Sequence, residues 1–221
     1  MTSIHIRILS TLTAFLVCIA ALALPPSELS ALYPDYEEDV FMDMDFEANL
    51  ASPDVPEQAR KEVVKFQRKL AEKLKNNYTI DLMREGEVVV VTIPTDHLFL
   101  PNDTLFCNEA VRTLTPLLAS MKNPYMYKLV VAVHTDDTGS ESYRDHLSSE
   151  RIRTVYDWLM DEIDRGTLSE DLVIVPYSMG STMPLELNDT RRHRSENRRL
   201  EIYFIPGPEM IDKALAGTLN K

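Results

Sequence analysis

Apolar residues recur at intervals of three and four between Pro56 and Leu74, where Val63, Val64, Phe66, Leu70 and Leu74 alternate with Lys and Arg. That spacing predicts an amphipathic helix with a mixed-charge solvent face. The pattern then changes. Glu87 to Pro94 (EVVVVTIP) is an unbroken valine run, the mark of a strand buried on both faces. Asn108 to Met121 reads as a helix with Val111, Leu114, Leu117 and Leu118 on one side, and Lys128 to His134 (KLVVAVH) as a second buried strand. Ser142 to Ile163 is predicted to be a long helix carrying Leu147, Ile152, Val155, Leu159 and Ile163. Leu172 to Tyr177 and Arg199 to Ile205 supply a third and a fourth strand. The order β-α-β-α-β, a loop, then β predicts an α/β two-layer sandwich with helices on a mixed four-stranded sheet. Ala214 to Lys221 is expected to be a frayed tail.

The two ends depart from this pattern. Ile8 to Leu24 is a run of 17 uncharged residues after a single early cation, Arg7. Ala21-Leu22-Ala23 fits signal peptidase, and Pro25-Pro26 follow. The segment is expected to be a cleaved secretory signal, with an uncleaved inner-membrane anchor as the alternative, since 17 residues is at the short limit for a span. Val17 before Cys18 disfavours acylation of that cysteine. From Pro25 to Pro56 there are nine acids and no Lys or Arg, with five prolines among them, which predicts an extended, flexible tether. Tyr33, Tyr36, Phe41, Met42, Met44 and Phe46 interleave with the acids, so residues 33–47 are also a candidate surface for an envelope partner or for the domain itself. The expected organisation is therefore a signal over 1–23, a tether over 24–55, a helix and connection over 56–80, a folded domain over 81–208 and a tail over 209–221.

Composition narrows the function. Hydrophobic content of 44% and charged content of 26% are those of an ordinary globular protein. A net charge of −12 argues against nucleic acid or an anionic membrane as a general partner. The basic cluster Arg191, Arg192, His193, Arg194, Arg198 and Arg199 has no aromatic platform, and reads as a local anion cradle or as partners for the many acids. With the signal removed only Cys107 remains, so no intrachain disulfide is expected. No nucleophile elbow accompanies Ser148 or Ser178, and His97, His146 and His193 lack metal-ligand spacing. Neither an enzyme, a metal nor a cofactor is expected.

The most informative stretch is Thr135-Asp136-Asp137-Thr138-Gly139 followed by Leu147-Ser148-Ser149-Glu150-Arg151. Asp136 closes a strand and Arg151 lies fifteen residues on, in the following helix. A carboxylate and a guanidinium so placed suit a zwitterion, because the planar fork of Arg grips a carboxylate while Asp takes an ammonium. The competing reading is a surface salt bridge, between the two or with neighbours, worth about 0–1 kcal/mol.

Further motifs accompany this pair: Arg194-Ser195-Glu196-Asn197-Arg198-Arg199 before the last strand, Gly180 with Pro184 after the third, and Phe99-Leu100-Pro101-Asn102 ahead of the first domain helix. Together, over about Glu87 to Pro206, the sequence resembles the OmpA-like peptidoglycan-binding domain. The resemblance implies a non-catalytic domain that binds diaminopimelate in the stem peptide of the cell wall and tethers an envelope protein or complex. It implies Asp136 and Arg151 as the main ligand residues, with Thr135, Asn102 and Arg198 beside them. A periplasmic location follows, in association with the outer membrane. One position departs from the family pattern. Eight residues beyond Asp136 the family usually has Asn, and here stands Arg144, a donor-only cation. That exchange leaves open either an altered pocket or an outward-turned side chain. It also favours an alternative in which the chain is a structural adaptor with weakened wall binding.

Overall fold

A computed structural model describes Tyr33 and residues 36–221. The proposed signal over 1–23 lies outside the described residues. Among those residues no helix is long and apolar enough to cross a membrane.

The elements run α1 (Glu38–Met42), α2 (Phe46–Ala51), α3 (Glu57–Leu74), β1 (Thr79–Met83), β2 (Val88–Pro94), α4 (Ala110–Met121), β3 (Tyr127–His134), α5 (Glu141–Asp164), β4 (Ile174–Gly180), α6 (Arg191–Asn197), β5 (Arg199–Pro206) and α7 (Pro208–Leu215). They build one five-stranded mixed sheet in the order β1-β2-β5-β3-β4. Only β3 and β4 pair in parallel; the other neighbours are antiparallel. The four strands expected from the valine-rich runs are all present. The fifth, β1, is a five-residue edge strand whose residues are nearly all exposed; its Ile80 and Leu82 alternate around Asp81 over a stretch too short to stand out.

Alternation along the strands sorts side chains to two faces. The inner face, with Val91, Val131, Ile174, Leu200, Ile202 and Phe204, packs against the large helices in a single apolar cluster. Helix α3 belongs to that cluster through Ala59, Val63, Leu70 and Leu74. Its buried Gln67 ties it to the sheet by donating to the carbonyls of Glu87 (2.7 Å) and Phe204 (2.8 Å). Such bonds satisfy buried backbone acceptors that the ladder leaves open.

The outer face carries Val88, Val90, Val130, Val173, Val175 and Tyr203, and it is covered by α1 and α2 through Phe41 and Phe46. This corrects the expectation of an extended tether throughout 24–55. Asp39, Asp43, Asp45 and Glu47 face water, while the two phenylalanines pack on the sheet and supply the burial that composition concealed. The expected frayed tail is corrected as well. Helix α7 starts at Gly207-Pro208, buries Met210 and Ala214, and packs on α3; Leu219 beyond it is 8% exposed. Asn220 then closes the end by donating to the Glu62 carbonyl at 2.9 Å.

Candidate functional site

The site lies at the C-terminal end of β3, where the chain leaves the sheet for α5. Gly139 permits that exit: its φ is +87°, and a Cβ there would come within 2.8 Å of the Tyr143 ring. Only glycine meets both demands without strain. Ser140 then caps α5 by accepting from the Tyr143 amide at 3.2 Å.

Asp136 is 7% exposed. Its Oδ1 accepts from the Thr138 amide (2.9 Å) and its Oδ2 from Arg198 Nη1 (2.7 Å). Burial pushes its carboxyl up, but the hydrogen bonds from Arg198 and Thr138 outweigh burial and hold it below the usual carboxylate range. It is an anion at neutral pH.

Arg198 ends α6 and faces two acids. Its Nε and Nη2 bind the two oxygens of Asp96 at 3.0 and 2.7 Å, leaving Nη1 for Asp136. The Asp96 bonds raise its pKa, burial opposes, and the Asp136 bond adds to the rise.

Arg151 reaches the same corner from α5 and is 3% exposed. Its guanidinium lies over the Phe99 ring, 4.8 Å from the centroid. Nε donates to the Asp103 carbonyl (2.9 Å), Nη2 to the Leu100 carbonyl (3.3 Å), and Nη1 stands 3.5 Å from Thr95 Oγ1. Burial lowers its pKa, with Asp96 acting in the opposite direction. Asp136 and Arg151 therefore do not pair with one another; Asp136 pairs with a neighbour, Arg198, as the competing reading allowed. Of the five guanidinium hydrogens of Arg151, three have protein acceptors and two do not.

Asn102 sits in the loop that Arg151 holds. Its φ of +59° is a conformation Asn tolerates better than most residues, and its Oδ1 accepts from Tyr143 Oη at 3.0 Å. Thr135 donates its amide to the Gly180 carbonyl (2.7 Å), while its buried hydroxyl has no partner among the described residues. Arg144 does not project as a free charge. Its Nη1 turns back to the carbonyls of Gly139 (2.7 Å) and Asp137 (3.3 Å) and staples the loop that carries Asp136.

Asp96, Thr95 and Tyr143 also belong to this corner and were not foreseen. Asp96 sits in a short turn after β2, with no local pattern to set it apart from the chain's other acids. Only the fold shows that it faces Arg198. Within the rest of the basic cluster, Arg192 pairs with Glu196 (2.9 Å), His193 with Asp189 (2.6 Å) and Arg199 with Glu201 (2.7 Å), and Arg194 donates to the Asn188 carbonyl (2.7 Å). Ser148 and Ser178 share a hydrogen bond (2.6 Å), and His134 lies instead beside Glu201, its Nε2 3.0 Å from the carboxylate. Among the described residues no cluster of His, Cys, Asp and Glu suits a metal ion.

No family model matches the chain. In sequence it is similar to YfiB of Escherichia coli (strain K12), described as a lipoprotein, at 29% identity over 109 residues, 48% of this chain and 64% of YfiB. It is also similar to the peptidoglycan-binding protein ArfA of Mycobacterium tuberculosis (strain ATCC 25618 / H37Rv), at 35% identity over 75 residues, 34% of this chain and 22% of ArfA. The chain thus spans less than two thirds of either relative. In structure it is similar to a protein of Desulfovibrio vulgaris described as MotB-like, with a TM-score of 0.55 and 19% identity, over 66% of this chain and 95% of that one. The sheet and its packed helices have the OmpA-like, MotB-type fold.

Proposed function

We propose that the chain is an exported envelope protein that binds peptidoglycan non-covalently and tethers its attachments to the cell wall. The ligand on this reading is the free zwitterionic end of diaminopimelate in the stem peptide. Asp136 receives the ammonium, and the two unused guanidinium hydrogens of Arg151 receive the carboxylate. Arg198 holds Asp136 in place, and Thr135 and Asn102 line the approach. The observation that carries the reading is the separation of Asp136 and Arg151: each is fixed by other partners, so neither neutralises the other and both retain unfilled bonding positions. The similarity to ArfA supports peptidoglycan as the partner. The periplasm is the location this function requires.

The test is co-sedimentation with purified sacculi. Wild type is expected to pellet with them, and Asp136→Ala and Arg151→Ala to remain in the supernatant with an unchanged far-ultraviolet spectrum. Unimpaired pelleting of both variants sinks the site assignment.

A second reading, an adaptor subunit with weakened wall affinity, is favoured by one observation: Arg151 is only 3% exposed, so a ligand must displace part of the Leu100–Asp103 loop to reach it. Titration calorimetry with a diaminopimelate-containing muropeptide separates the two. Heat with one-to-one stoichiometry supports the wall-binding reading, and its absence supports the adaptor.

A further inference from the structure

Lys128 is the most completely buried charged residue that the ligand site leaves unused. It stands on β3 with 0% exposure, on the outer face of the sheet. All three acceptors of its ammonium come from a single short stretch of chain: the Asn49 carbonyl (2.8 Å), Asn49 Oδ1 (3.0 Å) and Ser52 Oγ (3.0 Å). The Phe41 ring lies 4.2 Å from Nζ. Asn49 is itself fully buried and fixes the stretch internally by donating to the Phe41 carbonyl at 2.7 Å. Residues 38–52 therefore form a small cap built around one amine.

We propose that residues 38–55 are a releasable cover on the outer face of the sheet, and that gain of a proton by Lys128 loosens it. Helices α1 and α2 have five and six residues, too short to persist without docking. Besides Lys128, they are held by Tyr177 Oη donating to the Met44 carbonyl (2.7 Å), by Tyr156 Oη donating to Glu38 (3.0 Å), and by Arg84 donating to the carbonyls of Leu50 (3.2 Å) and Pro53 (3.1 Å). Release uncovers the valine-rich row beneath Phe41 and Phe46.

The chemistry sets the direction. Burial lowers the Lys128 pKa to about 7 from its ordinary 10.5, and the Arg84 cation acts in the same direction. Arg84 is in turn paired with Glu87 at 3.0 Å. The cover presents Lys128 with Phe41, Asn49 and Ser52, β5 presents Ile205, and no described carboxylate forms an ion pair with it. Below pH 7 the amine is charged whether covered or released, and the covered state bears the full cost of burying that charge. Between about 7 and 10.5 the covered state gives up the proton first. Docking therefore tightens as pH rises, by up to about tenfold per pH unit. Three other cover contacts also titrate: burial raises the Tyr177 phenol, with its bond from Asn49 opposing. Burial raises the Glu38 carboxyl, and the bond from Tyr156 opposes it. Burial, with the bond to Glu38 adding to it, raises Tyr156 to about 12. The Lys128→Met variant isolates the part of any slope that belongs to Lys128.

Hydrogen exchange of the amides of residues 38–51, corrected for the intrinsic pH dependence of exchange, tests this in the full chain. Wild type is expected to gain about 10- to 100-fold in protection between pH 7 and 9. Lys128→Met, which buries no charge, is expected to be highly protected already at pH 7 with no slope. Lys128→Arg, charged throughout, is expected to stay poorly protected with no slope. A flat wild-type profile, or a slope that survives in Lys128→Met, overturns the proposal. Should either variant fail to fold, the Lys128 side-chain nitrogen titrated by NMR in wild type decides the matter: a midpoint near 7 supports it, and one near 10.5 overturns it.

Discussion

Arg198 and Arg199 are adjacent in the chain yet belong to two different charge clusters. Arg198 joins Asp96 and Asp136 at the rim of the sheet, where the acids keep lone pairs free. Arg199 points to the outer face. There it binds Glu201 (2.7 Å) and donates to the carbonyls of Asn197 (3.3 Å) and Met183 (3.1 Å), while Tyr203 Oη donates to the second Glu201 oxygen (2.5 Å). The second cluster is sealed: Arg199 and Glu201 are 3% and 6% exposed. One step along a strand separates an open arrangement from a closed one of similar composition. On the proposed reading, charge type does not mark a binding site; bonding capacity that the fold leaves free does.

Stability measurements test that contrast. Glu201→Ala is expected to cost about 3–5 kcal/mol in denaturant unfolding, because it strands the Arg199 charge where water cannot reach. Acid gives the same cluster a pH signature. Burial works against the Glu201 anion, but His134 and Arg199 outweigh it and hold its pKa down at about 2, below the ordinary 4.5. A depressed carboxyl contributes stability that is complete above about 4.5 and lost as pH falls towards 2. Melting temperatures should decline across that range, and Glu201→Gln should flatten the decline.

The next effect is smaller. Gly139→Ala places a side chain at a φ of +87° against the Tyr143 ring, and is expected to cost about 1–2 kcal/mol. Asp136→Ala is expected to cost about 1 kcal/mol, since Arg198 keeps both bonds to Asp96, while abolishing sacculus binding. A cost for Asp136→Ala equal to that of Glu201→Ala would break the comparison. At the far end, Arg192→Ala removes only an exposed i,i+4 pair with Glu196 and should leave the melting temperature unchanged.

The sequence disclosed what local pattern can carry. Valine runs and helical spacing located four strands and three long helices to within about two residues at most ends, because each buries a face of its own. The resemblance to the OmpA-like domain, rather than spacing, grouped Asp136, Thr135, Asn102, Arg151 and Arg198 as candidate ligand residues. What stayed hidden depends on distant partners. Strand β1 exists because it pairs with β2, not because its residues seek a core. Helices α1 and α2 look like an acidic tether until Phe41 and Phe46 meet the sheet and Asn49 meets Lys128. Asp96 and Arg198 stand 102 residues apart and are joined only by folding. Arg144 was legible as a departure, but its turn back onto Gly139 was not.

The contact of Tyr33 has a mechanical consequence. Tyr33 donates to Asp212 of α7 at 2.6 Å and packs its ring 5.6 Å from that of Tyr125, just before β3 begins. The candidate ligand residue Asp136 lies just past the other end of the same strand. If the wall holds one end and a load pulls on the chain preceding Tyr33, tension runs lengthwise along β3, roughly 26 Å for its eight residues. Strands on both sides then resist in shear, with many backbone bonds strained together rather than unzipped in turn. A domain pulled along an interior strand yields at far higher force than one peeled from its edge.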